Sequence, residues 1–357
     1  MRYNVIKCAV FALIMFLIPL LALNRGMEAV QLLPVKNSYV QPAPQSNSTA
    51  APKAQPAQTP TPPQISPAKI NDNGFRLQDE QTGKIFEVST RDYVRGSLAA
   101  EMPPTFHPEA LKAQAVASHT YALNLKRQKQ AEVRAGQTGG ADFSVDPKNW
   151  KTYTTEKLFR ERYGDLADAY WKTISEAADE VCAYILTYED EPIVAAYHSM
   201  STGITENASN VWIGGKPYLV PVESRGDILA PDYTSQVTIS VQDLRNTLQT
   251  AYPKIQLGND PAAWLQINQR SEGGYVTELT AGSQTMHGKE LRSLLDLRSS
   301  DFTVACDGKS FTFTVNGYGH GVGLSQYGAD YMARQGAKFD EILLHYYRGV
   351  TLSSVTQ

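Results

Sequence analysis

The chain opens with an apolar segment and continues with a polar one. Residues 8–23 are uncharged, and Arg2 and Lys7 lie on their N-terminal side. With the residues before it, and with the Lys7 amine reaching toward the interface, this segment approaches the roughly 20 residues that a bilayer requires. The pattern predicts a single membrane helix over residues 1–24. A cleaved signal peptide is the alternative, although no small-x-small site follows the apolar run.

The position of the cations predicts where the rest of the chain lies. Arg2 and Lys7 precede the apolar run, and such cations tend to stay in the cytoplasm. We therefore expect a single-pass protein of the cell membrane with an extracytoplasmic C-terminal body. Residues 25–70 are rich in Pro, Gln, Ala, Ser and Thr, which predicts a disordered tether. The folded body is expected over residues 71–357.

Apolar positions in this body alternate between helical and strand-like spacing. Helices are predicted over residues 92–102, 108–128, 153–176, 241–250, 288–295, 325–334 and 339–347. Strands are predicted over residues 75–77, 84–88, 181–188, 192–198, 235–240, 265–267 and 275–279, with a hairpin over 302–315. Because the order is not a regular βαβ repeat, we expect a mixed α+β fold in one large body, with room for a smaller inserted subdomain.

Composition excludes some functions and leaves others open. The formal net charge is -3, so no basic footprint for nucleic acid is present. The six histidines are scattered singly, which predicts no metal site and no cofactor. Within the body, Cys182 and Cys306 could pair outside the cell or remain as two thiols, and their number defines no disulfide framework.

Glu101 is the strongest candidate for chemistry. On the predicted helix, Val94, Leu98 and Glu101 follow the spacing i, i+4 and i+7, which places the carboxylate on the apolar stripe. It also lies in the last turn, where the helix dipole disfavours negative charge. Both effects raise the pKa of a carboxyl toward the range that a general acid needs. The alternative is a side chain that turns to solvent or pairs with Arg95.

Two further segments carry candidate polar groups. Residues 318–328 form the densest glycine cluster, without the spacing of a phosphate-binding or dinucleotide-binding loop. The cluster predicts either close backbone approach to a ligand around His320 or a tight turn with a structural histidine. His198 and Ser199 suggest a serine hydrolase, but neighbours on a strand point to opposite faces and no nucleophile elbow is present.

Several segments in order resemble the family of stage II sporulation protein D and the amidase enhancers. The resemblance covers the chain from about residue 75 to the C-terminus. Its motifs lie in residues 93–103, 109–117, 205–224, 288–302 and 319–329. The most specific is the run Gly-His-Gly-Val-Gly-Leu-Ser-Gln-Tyr-Gly-Ala over residues 319–329.

This resemblance implies a lytic transglycosylase that cleaves peptide-stripped glycan strands of peptidoglycan during engulfment in sporulation. The catalytic glutamate of the family matches Glu101, which agrees with the helical pattern. The expected substrate-binding residues are His119, Tyr197, His198, Ser199, Tyr218, His320, Ser325 and Gln326. Expected partners are glycan strands, a cell-wall amidase and membrane partners of the engulfment machinery. The alternative is a non-catalytic, glycan-binding activator of a cell-wall amidase.

The chain departs from the family pattern at three places. His119 stands where the family usually has an arginine, and a neutral histidine orients a carboxylate or substrate less strongly. Residues 144–153 lack the two cysteines that some members carry, so no zinc is expected there. Arg225 and Gly226 replace a usual Pro-Trp. The first departure favours the amidase activator. The position of Glu101 on the apolar stripe of its helix and the complete glycine-rich run favour the enzyme.

Overall fold

A computed structural model of the chain describes residues 66–136 and 140–356. The predicted membrane helix over residues 1–24 and most of the predicted tether lie outside these residues. Strand β1 begins at Ser66, so the last residues assigned to the tether are part of the folded body. Among the helices of the described ranges, none is both long enough and apolar enough to cross a bilayer.

The described residues form the mixed α+β fold that the sequence predicts. The helices are α1 (Thr90–Glu101), α2 (Pro108–Arg134), α3 (Glu156–Tyr163), α4 (Ala167–Val181), α5 (Ala208–Val211), α6 (Val241–Ala251), α7 (Gly288–Leu295), α8 (Gln326–Arg334) and α9 (Phe339–Tyr346). The strands are β1 (Ser66–Asn71), β2 (Phe75–Asp79), β3 (Ile85–Val88), β4 (Phe143–Val145), β5 (Tyr184–Tyr188), β6 (Glu191–Pro192), β7 (Tyr197–His198), β8 (Thr234–Ser240), β9 (Leu265–Arg270), β10 (Val276–Ala281), β11 (Gln284–Met286), β12 (Asp301–Cys306), β13 (Ser310–Asn316), β14 (Leu324–Ser325) and β15 (Thr351–Thr356).

Helix α2 forms the centre of the larger core. Pro108 occupies its first turn. The side chain of His107, the residue before the helix, accepts a hydrogen bond from the Glu109 amide. Its alanine-rich middle is fully buried, which allows α1, α4, α8 and α9 to pack closely around it. Two sheets, in the strand orders β1-β15-β5-β6 and β3-β2-β4, and the parallel pair β7-β14 complete this part.

Residues 234–316 build a second, smaller hydrophobic core. The sheet β12-β13-β8 and the sheet β11-β10-β9 pack with α6 and α7 around Trp264, Phe302, Phe311 and Phe313. We call residues 234–316 the inserted subdomain and the rest of the described chain the main lobe. The chain leaves the main lobe after the 3₁₀ turn Arg225–Leu229 and returns at Gly317.

Some element boundaries differ from the prediction. The helix predicted over residues 153–176 is divided at Gly164, which takes a left-handed φ of 52° and ends α3. The strand predicted over residues 192–198 is wrong for residues 193–196, which are not in a strand. The ladder with β5 includes only Glu191–Pro192 before the chain turns toward β14. Cys182 and Cys306 do not form a disulfide, and Cys182 Sγ donates to Asp179 O at 3.5 Å.

Candidate active site

Glu101 is the last residue of α1, and the helix fixes where its side chain lies. Leu98 and Val94, one and two turns before it, are fully buried, while Glu101 is partly exposed. The Glu101 carbonyl accepts a hydrogen bond from Gln326 Nε2 at 3.0 Å. A side chain from α8 therefore satisfies a carbonyl that the end of α1 leaves without a helical partner. This contact joins the end of α1 to the glycine-rich segment.

The surroundings of the Glu101 carboxyl raise its pKa to about 7. Burial is the largest cause, because it penalises the charged form. The Tyr197 hydroxyl and the Thr152 backbone amide donate hydrogen bonds to the carboxylate, and these lower the pKa by a smaller amount. A group with a pKa near neutrality can both donate and accept a proton during one reaction cycle.

The Thr152 amide reaches Glu101 through an unusual backbone conformation. Trp150 and Thr152 have φ values of 59° and 68°, in the left-handed region that a β-branched residue rarely adopts. The loop is held against α1 at Gly96, whose carbonyl accepts from the Thr154 amide at 3.0 Å. A Cβ at Gly96 would lie 2.3 Å from the Tyr153 ring. This close approach keeps the strained loop in place beside the carboxyl.

Behind the carboxyl, a chain of buried polar groups leads back to the end of α1. Ser118 hydrogen-bonds to Tyr197, and Gln114 Nε2 donates to Ser118 Oγ at 3.0 Å. Gln326 Nε2 lies 3.4 Å from Gln114 Oε1 and also donates to the Glu101 carbonyl. Because each member has a partner, the network fixes the rotamers of Tyr197 and Gln326. Glu101 is held at both its carbonyl and its carboxyl.

Tyrosine rings surround the same carboxyl. Burial raises the pKa of Tyr93, Tyr121 and Tyr197, and the nearby Glu101 charge raises each further. All three phenols are therefore neutral at physiological pH. Tyr93 is 1% exposed and belongs to the core, whereas Tyr121 and Tyr197 are half-buried and are the rings available to pack on a sugar face.

The glycine-rich segment approaches the main lobe closely on the other side of Tyr197. Strand β14 pairs in parallel with β7, so Leu324 lies opposite Tyr197. Gly319 and Gly323 have φ values of 117° and 76°. A Cβ at Gly323 would lie 2.0 Å from the Ala196 carbonyl oxygen, and one at Gly319 would lie 2.7 Å from a side-chain carbon of His198. The glycines are thus required for backbone packing.

Two histidines lie beside this contact. His198 Nδ1 is 3.2 Å from the Val322 carbonyl, so it carries the proton and donates. His320 Nδ1 accepts from the Val322 amide at 3.0 Å, and the ring also hydrogen-bonds to the Tyr197 backbone. The ring centroids of His198 and His320 are 5.8 Å apart, and Trp212 packs edge-on to His320 at 5.0 Å.

Burial lowers the pKa of both histidines. The pKa of His198 falls to about 4, and the pKa of His320 lies well below its usual range. Both rings are neutral at physiological pH, so they can form hydrogen bonds but do not supply a positive charge. His198 follows Tyr197 in β7 and the His320 ring hydrogen-bonds to the Tyr197 backbone, and the contact of both histidines with substrate stays a prediction.

Ser199 and Ser325 hold backbone segments together. Ser325 is fully buried, and its hydroxyl accepts from the Gly328 amide at 3.2 Å and donates to Asp227 at 2.6 Å. The half-buried Ser199 offers its carbonyl to the Tyr327 amide at 3.1 Å. In this arrangement both serines support the glycine-rich segment, and their contact with substrate stays a prediction.

Tyr218 and His119 form hydrogen bonds with protein groups other than the Glu101 carboxyl. The Tyr218 hydroxyl accepts from the Val194 amide at 3.0 Å. His119 is fully buried, with Nε2 3.1 Å from Asp72 Oδ2 and Nδ1 3.2 Å from the Tyr184 carbonyl. Both nitrogens of His119 are occupied by protein partners and no surface faces a ligand. Substrate contacts at His119 and Tyr218 stay predictions that this arrangement does not favour.

Sequence reasoning missed several groups at the site. The Thr152 amide gives no signal, because a backbone donor has no residue-type signature. Gln114, Ser118 and Tyr121 lie one or two turns apart on α2, and helical spacing from an assumed glycan face could have grouped them. Arg292 lies in the motif over residues 288–302, whose sequence gives no sign of what this side chain faces. Among the described residues, no group of three His, Cys, Asp or Glu side chains is arranged to hold a metal ion.

The fold and the site define an α+β protein in which Glu101, a carboxyl of raised pKa, lies among buried and half-buried tyrosines. A family model described as Stage II sporulation protein matches residues 78–188, which include Glu101. Stage II sporulation protein D of Bacillus amyloliquefaciens is 37% identical over 267 residues, covering 74% of each chain. The Bacillus subtilis protein of that name is 34% identical, covering 74% of this chain and 75% of the relative. The chain belongs to the stage II sporulation protein D family.

A more distant relative carries a different name. The amidase enhancer of Bacillus subtilis is 26% identical over 312 residues, which span 73% of this chain and 40% of that protein. The two names agree with the two groups of proteins that the sequence motifs resemble.

Proposed function

We propose that this protein is a lytic transglycosylase that cleaves peptide-stripped glycan strands of peptidoglycan during sporulation. The observation that carries the proposal is the Glu101 carboxyl, whose pKa of about 7 matches a group that must act as acid and then as base. The tyrosine rings around it suit a sugar chain. The family membership supports a role in sporulation.

The first step uses Glu101 as an acid. The protonated carboxyl donates its proton to the oxygen that links C1 of N-acetylmuramic acid to the next sugar. The bond from C1 to that oxygen breaks, and the leaving sugar departs with a new hydroxyl. Glu101 is then a carboxylate, and the Tyr197 hydroxyl and the Thr152 amide stabilise its charge.

The second step uses the same group as a base. The carboxylate takes the proton of the C6 hydroxyl of the muramic residue, and the C6 oxygen bonds to C1. The product is a 1,6-anhydro ring, and Glu101 is protonated again. Because the nucleophile belongs to the sugar itself, the reaction gains the advantage of an intramolecular attack. A second catalytic carboxylate, as in ordinary glycosidases, is not required.

Other buried carboxylates near the cleft are engaged in structural hydrogen bonds. Glu206 accepts from the Asn207 amide at 2.6 Å, from Asn210 Nδ2 at 2.9 Å and from Ser271 Oγ at 2.5 Å. Asp227 accepts from the Ser201 amide at 2.7 Å and from hydroxyls on both sides. These partners leave Glu101 as the carboxyl that is suited to proton transfer.

The proposal includes a location and partners. An N-terminal membrane helix over residues 1–24 would hold the body outside the cytoplasm, where the cell wall lies. A cell-wall amidase would supply the substrate by removing the stem peptides, and the name of the amidase enhancer relative supports such an association. Membrane partners of the engulfment machinery belong to the same proposal.

The test incubates the full chain, in mild detergent, with amidase-stripped glycan and analyses the products by mass. The wild type should produce anhydro-muramic ends, and Glu101→Gln should produce none. Glu87→Gln is the matched control, because that glutamate has 83% of its side chain exposed on β3. Intact glycan with folded wild-type protein would contradict the proposal.

The second candidate function is activation of a cell-wall amidase without cleavage of glycan. The observation that favours it is His119, which is buried with Asp72 where the family usually has an arginine. In this case the wild type and Glu101→Gln would stimulate an amidase equally, and neither would produce anhydro ends.

A further inference from the structure

The inserted subdomain places Arg292 beside the glycine-rich segment. Arg292 lies on α7, and its Nε donates to the Leu297 carbonyl at 3.1 Å. The next carbonyl, that of Arg298, accepts from the Gly319 amide at 2.9 Å, directly before His320. The half-buried guanidinium is therefore held beside the glycine-rich segment. Tyr275 and Tyr318 lie near it.

A second contact of α7 fixes the same orientation. Lys289, one turn before Arg292, donates from Nζ to the Val211 carbonyl at 2.6 Å. The next residue, Trp212, packs on His320. Residues three apart share a helix face, so the face of α7 that meets Val211 also presents Arg292 to the two histidines. The charge of Arg292 is close enough to lower the pKa of His198 and of His320.

In the part of the chain that the structure describes, no anion is hydrogen-bonded to this guanidinium. Within residues 66–136 and 140–356, no carboxylate forms an ion pair with Arg292, and its terminal nitrogens donate no hydrogen bond. Glu290, two positions before Arg292, accepts from the Tyr252 hydroxyl at 3.1 Å, and the exposed Asp296 at the end of α7 acts on the guanidinium only through its charge, without an ion pair. Burial lowers the pKa of Arg292 only to about 10, so it remains charged at physiological pH. Burying a cation without a paired anion costs free energy unless a ligand supplies that anion.

An unpartnered acceptor lies next to this donor. His198 is 5% exposed, and its Nε2 has no hydrogen-bond partner in the described part of the chain. Its Nδ1 donates to the Val322 carbonyl. The neutral ring therefore has a vacant lone pair on Nε2. Because the Arg292 charge acts on this ring, the site offers a charged donor and a neutral acceptor within electrostatic reach of each other.

We propose that Arg292 and His198 form a subsite that recognises a muramic residue whose lactyl group ends in a free carboxylate. An amidase that removes the stem peptide leaves this carboxylate on the C3 ether, beside the acetamido N–H on C2. The guanidinium pairs with the carboxylate, a geometry for which arginine is well suited. His198 Nε2 accepts from the acetamido N–H. This inference rests on the proposed substrate and predicts that glycan with free lactyl carboxylates binds better than glycan in which these groups are amides.

The test measures binding, so that it does not depend on turnover. Full-length Glu101→Gln is titrated with amidase-stripped glycan and with the same glycan after its lactyl carboxylates are converted to methyl amides. A charge-assisted hydrogen bond of this kind should give a preference of about tenfold or more for the free acid. Adding Arg292→Gln should remove the preference, and Arg292→Lys should keep part of it.

Arg245→Gln is the matched control, because that arginine packs on Trp264 within the inserted subdomain at 4.6 Å. It should leave the preference unchanged. Equal binding of both glycans to the parent protein, or an equal loss on both glycans with Arg292→Gln, would overturn the proposal. An Arg292-dependent preference without anhydro products in the wild type would instead contradict the proposed reaction and leave this subsite standing.

Discussion

In the main lobe, the polar groups behind Glu101 are hydrogen-bonded to one another, from Tyr197 through Ser118 and Gln114 to Gln326. On the side of the inserted subdomain, Arg292 donates only through Nε. A complete network holds a reacting group in one position. An incomplete one is adapted to a ligand that supplies the missing partners.

The same contrast separates two buried histidines. His119 has protein partners on both nitrogens, Asp72 and the Tyr184 carbonyl. His198 has one partner, the Val322 carbonyl, and an unpartnered Nε2. Residue type and burial are alike, so hydrogen-bond satisfaction distinguishes a structural histidine from a candidate ligand contact.

Shortening the side chain of Glu101 should have the largest effect. Glu101→Asp keeps a carboxyl but withdraws it by one methylene from Tyr197 and from the scissile bond. Misplacement of about 1 Å costs roughly 10²-fold in rate. We expect that loss in the rate of anhydro-product release, with an unchanged melting temperature within about 2 °C. A rate near that of the wild type would show that the position of Glu101 is not critical.

Asp227 is hydrogen-bonded within the main lobe, so its substitution should lower the stability of the fold. Burial raises its pKa to about 6, and hydrogen bonds from Ser201 and Ser325 lower it by less. Asp227→Ala would leave three buried donors without an acceptor, at a cost of about 3 kcal/mol in the free energy of unfolding. Urea denaturation measures the loss. The exposed Asp165→Ala is the control and should change stability by less than about 0.5 kcal/mol.

The raised pKa of Glu101 predicts the direction in which stability changes with pH. Its folded pKa of about 7 exceeds the ordinary value of 4.5, so the folded state holds the proton more tightly. The stability from this group is complete below pH 4.5 and is lost as the pH rises through 7. Glu101→Gln should therefore gain about 1–3 kcal/mol relative to the wild type between pH 4.5 and pH 8. A constant difference across this range would contradict the raised pKa.

The smallest expected effect concerns the hydrogen bond from Tyr197. Tyr197→Phe removes a donor that favours the charged carboxylate, so the pKa of Glu101 should rise further. The alkaline limb of the pH–rate profile should move up by about 0.5–1 pH unit. Tyr331→Phe, at an exposed ring on α8, should leave the limb in place. A downward shift would mean that Tyr197 does not donate to Glu101.

The sequence predicted those parts of the site that depend on periodicity. Helix α1 and its apolar stripe follow from the spacing of Val94, Leu98 and Glu101, and α7 from residues 288–295. The Thr152 amide and the position of Arg292 could not be predicted, because both depend on how distant segments pack. The surroundings of His119 could not be predicted either, because its partner Asp72 lies 47 positions away in the chain.

The most direct test of the central claim is cleavage of stripped glycan by the wild type in water enriched in ¹⁸O. If Glu101 directs the C6 hydroxyl to C1, the new muramic ends are anhydro rings that carry no ¹⁸O. If the protein hydrolyses the bond instead, each new end is a reducing sugar that contains one ¹⁸O. The account predicts the first result, and the second would contradict it.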